Sequence, residues 1–277
     1  MSYVKQITRD EPSCFLFLID QSSSMSDSFG GQTQGSKAQR LADAVNRLLY
    51  ELVFRCTKSQ EEGPRNYFDV GVIGYGANVG SAWGGALANK SLVSITELAD
   101  NPLRVDTREK DDGAGGIVKV SFPVWFDAVA NNGTPMRTAF EQAHGVLESW
   151  IQSHPSSYPP TVINITDAES NSGQDPKQAA EQIRQLQTSD GNALVFNVHL
   201  SSSAGQALMF PDTAASLPDQ FARELFEISS ILPPHVREAA AKEGIGVGEA
   251  PRGFVFQADG VELVKFLNIG TVDSGLR

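Results

Sequence analysis

Asp20, Ser22 and Ser24 stand at alternate positions directly after the apolar run Phe15-Leu16-Phe17-Leu18-Ile19. Carboxylate and hydroxyl oxygens are hard donors, and bunched at the end of a strand they suit a small divalent cation. Magnesium takes about six oxygens at about 2.0 to 2.1 Å and keeps several waters, so a site with few carboxylates can hold it and leave a position open. Two later segments offer more oxygen donors, Gly133-Thr134-Pro135-Met136 and Ile163-Asn164-Ile165-Thr166-Asp167. Thr134 and Asp167 complete a set of five, provided the chain alternates strands and helices and gathers these loops at one edge.

Each piece taken singly has a plainer reading. Asp-x-Ser-x-Ser is also a turn or capping cluster, because Asp and Ser side chains satisfy backbone groups in loops. Thr134 alone reads as a helix cap and Asp167 as a strand-end turn residue. A nucleophilic role for Ser22 or Ser24 requires a base within reach. The histidines are His144, His154, His199 and His235, and no G-x-S-x-G elbow accompanies them, so ordinary packing is their reading. Residues 30–37 approach a phosphate-cradling loop but end Gly-Ser-Lys and follow no strand, and Gly74-Tyr75-Gly76 with Gly80 lacks dinucleotide spacing. Glu109, Asp111 and Asp112 lack the alternating order of a calcium loop and read as a solvated acidic turn. Asp175 reads as a helix cap, with Glu169 beside the site, and Trp83 and Trp125 read as core.

The elements that must position the five follow from periodicity. Residues 14–19 form a continuous apolar run, as expected of a central strand covered on both faces. Leu41, Val45, Leu48 and Leu52 recur at helical steps, and residues 68–75 read as the second strand. Residues 77–123 are a weaker, glycine-containing insertion with short strands and a hairpin placed near the metal edge. Thr134 is expected as N-cap with Pro135 at the first helical position, leading Ala139, Ala143, Leu147 and Trp150 along one face. Residues 161–166 and 192–200 read as strands, and residues 253–257 as an edge strand. Helices are expected through Ala179 to Leu186, Phe221 to Ile228 and Val236 to Glu243, with a last one over 261–267 capped by Asp259. The alternation predicts a doubly wound, Rossmann-like, mostly parallel α/β sheet with one antiparallel strand and helices on both faces. Ligands of such sheets gather beyond the carboxyl ends of the strands.

At 277 residues the chain is read as a single domain over 1–277. Its 40% hydrophobic and 20% charged content is that of an ordinary globular protein. The first twenty residues show no secretory leader, so a cytoplasmic location is expected, and two glycosylation-type triplets carry no meaning there. Cys14 and Cys56 form no C-x-x-C or Cys/His cluster and are expected as reduced, packed thiols. A net charge of −11 without a basic cluster argues against nucleic acid and against an anionic membrane as partner.

In order and chemistry, Asp20, Ser22, Ser24, Thr134 and Asp167 resemble the metal-ion-dependent adhesion site of von Willebrand factor A (vWA) domains, and all five positions are filled. The resemblance runs from about residue 14 to the C-terminus and is strongest to prokaryotic cytoplasmic members. It implies direct contacts to Mg2+, or to Mn2+ or Ca2+, from Ser22, Ser24 and Thr134, with Asp20 and Asp167 binding mainly through water. It implies a non-catalytic module whose cation accepts an Asp or Glu carboxylate from a protein partner, with loops 30–36 and 170–174 helping to choose it. Such proteins work beside AAA+ ATPases of the MoxR or chelatase type, in tellurite-resistance-like sets, or with kinases and phosphatases. The C-terminal helix is the candidate mover. Ala168 departs from the glycine common in relatives. The alternatives are a metal-dependent hydrolase or phosphoryl-transfer enzyme using the same cation, and a subunit whose cation only fixes loops.

Overall fold

The computed structural model describes residues 2–28, 35–59, 61–111, 113, 116–167, 170–171, 173–200 and 206–272. Loop 30–36 thus lies mostly outside the described residues, as do Asp112, Ala168, Glu169 and position 172 of loop 170–174.

Five strands form the parallel centre of the main sheet: β1 (Ser13–Asp20), β2 (Phe68–Tyr75), β7 (Thr161–Thr166), β10 (Leu194–Leu200) and β12 (Phe254–Ala258). Three short strands pair antiparallel to them: β3 (Val79–Ser81) and β4 (Val93–Ser94) on β2, and β11 (Leu208–Met209) on β12. The sheet order is β11-β12-β10-β7-β1-β2-β3. The protein is therefore α/β with a mixed, mostly parallel sheet, which among the described residues holds three antiparallel strands where the sequence pattern predicted one. These strands are two or three residues long, too short for a visible two-residue period. Residues 254–258 are likewise not an edge, since β11 covers them.

Side chains of β1 alternate between two apolar clusters, as a two-residue period demands. Phe15, Phe17 and Ile19 join one cluster, which also takes Leu41, Val45 and Leu48 of α1 (Lys37–Cys56), Val236 of α6 (Pro234–Lys242) and Phe266 of α7 (Gly260–Gly270). Cys14, Leu16 and Leu18 join the other, with Phe140 of α3 (Met136–Ser153), Ile183 of α4 (Lys177–Gln185) and Leu225 of α5 (Gln220–Ile228). Cys14 and Cys56 are both buried. Among the described residues no helix is long and apolar enough to cross a membrane.

The central strands also carry buried amides and hydroxyls, each with a partner. Tyr75 Oη donates to Asn164 Oδ1 at 2.7 Å, Asn164 Nδ2 to Asn197 Oδ1 at 3.0 Å, and Asn197 Nδ2 to Ser229 Oγ at 2.9 Å. This chain links β2, β7 and β10 laterally, and satisfied polar groups of this kind fix register where apolar contacts alone tolerate slippage.

The segment after β2 contains α2 (Ile95–Asp100) and a separate hairpin of two eight-residue strands, β5 (Arg104–Asp111) and β6 (Ile117–Val124). Arg108 ties the hairpin to α1 through Asp43 at 2.7 Å. Glu109 is paired in register with Lys119 inside the hairpin rather than lying in an acidic turn. Trp83 and Trp125 are buried. A two-residue hairpin, β8 (Gln187–Thr188) with β9 (Gly191–Asn192), precedes β10.

Candidate metal centre

Asp20 is the last residue of β1, and Asp167 directly follows β7, the parallel neighbour of β1. Both therefore emerge at the carboxyl edge of the sheet. Asp20 is buried and fully engaged: its Oδ1 accepts from Ser22 N at 2.8 Å and its Oδ2 from Thr166 Oγ1 at 2.6 Å. The turn after β1 is a short 3-10 helix over Ser23–Ser26, which holds Ser24 above Ser22. Their hydroxyl oxygens are 3.0 Å apart, and Ser24 Oγ donates to Asp167 Oδ1 at 2.8 Å. Asp20, Ser22, Ser24 and Asp167 are thus drawn together by direct bonds.

Thr134 reaches the same edge through its backbone. Ser23 N donates to Asn132 O at 2.8 Å and Asn131 N to Gln21 O at 2.6 Å, so residues 131–134 lie along the turn that carries the serines. Asn132 adopts φ 64°, a left-handed conformation that asparagine tolerates better than most residues. Thr134 N donates to Asn171 Oδ1 at 3.0 Å, and Asn171 N returns a bond to Thr134 O at 3.1 Å. Gly133 makes this possible, because a Cβ there would sit 2.4 Å from Asn171 Nδ2.

Thr134 is not the helix cap expected from the sequence. The N-cap place of α3 falls on Pro135, with no capping side chain. Asn171 occupies the Thr134 N–H, the helix starts one residue later, and the hydroxyl is not spent on the helix. The N-cap place of α4 likewise falls on Pro176 rather than on Asp175, which accepts from Lys177 N at 2.8 Å from one residue before it.

Burial sets the electrostatics. Desolvation raises the Asp20 carboxyl from 3.8 to about 6 against the lowering effect of its hydrogen bonds, and the nearby charge of Asp167 adds to the rise. The Tyr75 hydroxyl, paired in register with Asp20, is pushed well above its usual value by burial and then by the Asp20 charge. His199 on β10, opposite Thr166, is lowered from 6.5 to about 4 by burial. Its Nδ1 accepts from Gln257 N at 3.3 Å and its ring stacks on Phe256, so it is a packed, neutral group.

Lys37 is a residue at this edge that the sequence pattern did not single out. At the first position of α1 it is only 2% exposed, and its Nζ lies 2.5 Å from Oδ2 of the fully buried Asp167 carboxylate. The readable signal was a lysine four residues before Leu41 on the apolar stripe of α1, a place where an unpaired ammonium is not tolerated.

The chemistry of the set suits a hard cation: two carboxylates and three hydroxyls, all oxygen. Among the described residues no three His, Cys, Asp or Glu side chains gather to hold a metal ion, so an ion here would rest on hydroxyls and water as much as on charge.

No family model matches this sequence, and no curated protein matches it. Many solved chains match loosely, two of them as follows. The three N-terminal domains of the type V pili tip protein Mfa5 from Porphyromonas gingivalis align at 12% identity and TM-score 0.32, over 58% of this chain and 20% of that one. The adhesive tip pilin GBS104 from Group B Streptococcus agalactiae aligns at 9% identity and TM-score 0.30, over 87% of this chain and 72% of that one. The chain thus spans a fifth of the length of the first.

Proposed function

We propose that this chain is a vWA-type binding module. In this reading the sheet is doubly wound and Rossmann-like, residues 1–277 form one domain with an insertion at 77–123, and Asp20, Ser22, Ser24, Thr134 and Asp167 hold a divalent cation. The observation that carries it is the hydrogen-bond chain Ser22, Ser24, Asp167, which joins residues 143 positions apart at the ends of neighbouring parallel strands. A bound Mg2+, or Mn2+ or Ca2+, would supply an electrophilic position for one carboxylate oxygen of an Asp or Glu on a protein partner. Ser22, Ser24 and Thr134 offer neutral oxygens, which leaves such an ion most of its charge. Asp20 and Asp167 act through water, since each already accepts hydrogen bonds from the chain.

The module serves as a cytoplasmic adaptor for an AAA+ ATPase, a kinase or a phosphatase, without turnover of its own. The packed state of His199, the histidine on the strand next to Asp167, weighs against a general base at this edge.

Calorimetric titration of MgCl2 into the purified protein, followed by an array of Asp- and Glu-containing peptides with and without chelator, tests the reading. Cation uptake is expected, with capture of acidic peptides but not their Asn and Gln counterparts, and both are lost in Asp20→Ala. Absence of cation uptake, or capture indifferent to chelator and substitution, overturns it. Hydrolysis of a phosphate ester abolished by the same substitution would favour the enzyme instead.

A further inference from the structure

We infer that Lys37 is a built-in competitor of the cation, its ammonium neutralising Asp167 and thereby setting how tightly the site holds a divalent ion. This inference rests on the reading of the five-residue set as a cation site.

The placement of Lys37 is unfavourable on two counts unless Asp167 compensates. A buried ammonium loses its hydration, and a positive charge in the first turn of a helix opposes the helix dipole. Lys37 does both, 2% exposed at the first residue of the twenty-residue α1. Its Nζ has three oxygens around it: Asp167 Oδ2 at 2.5 Å, Ser24 O at 3.5 Å and Asp27 Oδ2 at 3.9 Å. Two of the three belong to residues of the proposed cation set, and the same Asp167 carboxylate accepts the Ser24 hydroxyl on its other oxygen. The ammonium and a divalent ion are thus balanced by one carboxylate and repel each other.

The consequence is graded affinity. With Lys37 in place, two carboxylates and one ammonium leave a net single negative charge for an incoming ion. Without the ammonium, both negative charges are available, and uptake of a divalent ion tightens by about tenfold or more, the scale of a like charge removed from a few ångströms away. Asp27 is exposed and lies close enough to receive the ammonium when Asp167 turns to a metal, so the exchange needs no movement of α1. A lysine that merely pinned α1 to β7 would leave ion affinity unchanged when replaced.

Manganese titration followed by the paramagnetic signal of the free ion, on wild type, Lys37→Gln, Lys37→Met and Lys37→Arg, tests this. Lys37→Gln keeps a donor for Asp167 and guards against a methionine variant that fails to fold. The neutral variants are expected to bind Mn2+ about tenfold or more tightly than wild type, with Lys37→Arg close to wild type. Their urea midpoints are expected to rise more than that of wild type when the same MgCl2 is added. Equal or weaker Mn2+ binding by a folded neutral variant overturns the Lys37 inference and leaves the cation site standing. Absence of binding in every protein, wild type included, overturns the site itself.

Discussion

Replacing Asp20 with Asn separates the cost of a buried charge from its use. The carboxyl is raised from 3.8 to about 6 with desolvation as its main cause, which corresponds to about 3 kcal/mol against the ionised form at neutral pH. A carboxyl raised on folding contributes stability that is fully present below 3.8 and is lost as pH rises through about 6, so at pH near 7.5 the ionised group is a net burden. Asparagine removes the charge but keeps an oxygen for Ser22 N, and its amide can donate to Thr166 Oγ1. In chelator near neutral pH, Asp20→Asn is therefore expected to unfold at higher urea than wild type, by about 1 to 3 kcal/mol. The gap narrows as pH falls below about 6, where wild-type Asp20 becomes protonated in the folded chain, and closes toward 3.8. Magnesium at about 100 times its dissociation constant adds about 2.7 kcal/mol to a protein that binds it. Wild type is expected to gain that increment and Asp20→Asn none. An Asn variant less stable than wild type in chelator would refute the electrostatic argument, and one that gained equally from magnesium would remove Asp20 from the site.

Gly133→Ala places a methyl against the Asn171 amide that holds Thr134, so cation uptake measured by calorimetry should fall steeply while far-UV circular dichroism stays native. His199 is lowered from 6.5 to about 4, so its contribution is present above 6.5 and lost as pH falls through the window to 4, at most about 3 kcal/mol. Asp167, Asp219 and Lys37 face it, the two acids raising it and the lysine lowering it. Asp20 titrates with the opposite sign over an overlapping range, so the comparison is wild type against His199→Asn by urea midpoint, the variant being expected to lose less stability toward pH 4. Trp125 Nε1 donates to Leu98 O at 2.7 Å, whereas the buried Trp83 Nε1 has no partner among the described residues. Trp125→Phe should thus cost about 0.5 to 1.5 kcal/mol more than Trp83→Phe by urea denaturation, because it removes a hydrogen bond that is made, leaving Leu98 O with the bond from Asn101 N at 3.3 Å.

Much of the site was legible as residue types at strand ends. Asp20 and Asp167 could be placed because an apolar run that stops at an acid marks a strand terminus whatever surrounds it, and β1 and β7 end within a residue of where the pattern stops. The capping box of α7, formed by Asp259 and Glu262, was legible for the same reason: its bonds span three residues. Boundaries failed where a distant group intervened. The start of α3 depends on Asn171, 37 residues from Thr134, and the antiparallel strands depend on edges of neighbours rather than on any period of their own.

Local pattern, in short-range bonds and in the two- and 3.6-residue periods, determined the α/β class and the central strands, and with them the strand-end positions of Asp20 and Asp167. Tertiary structure alone decided that Asp167 is shared between Ser24 and a lysine 130 positions away, and that Thr134 keeps its hydroxyl off the helix. The physical reason is that a charge buried at a sheet edge takes whichever partner the packing of a remote helix delivers, and no spacing along the chain records that delivery.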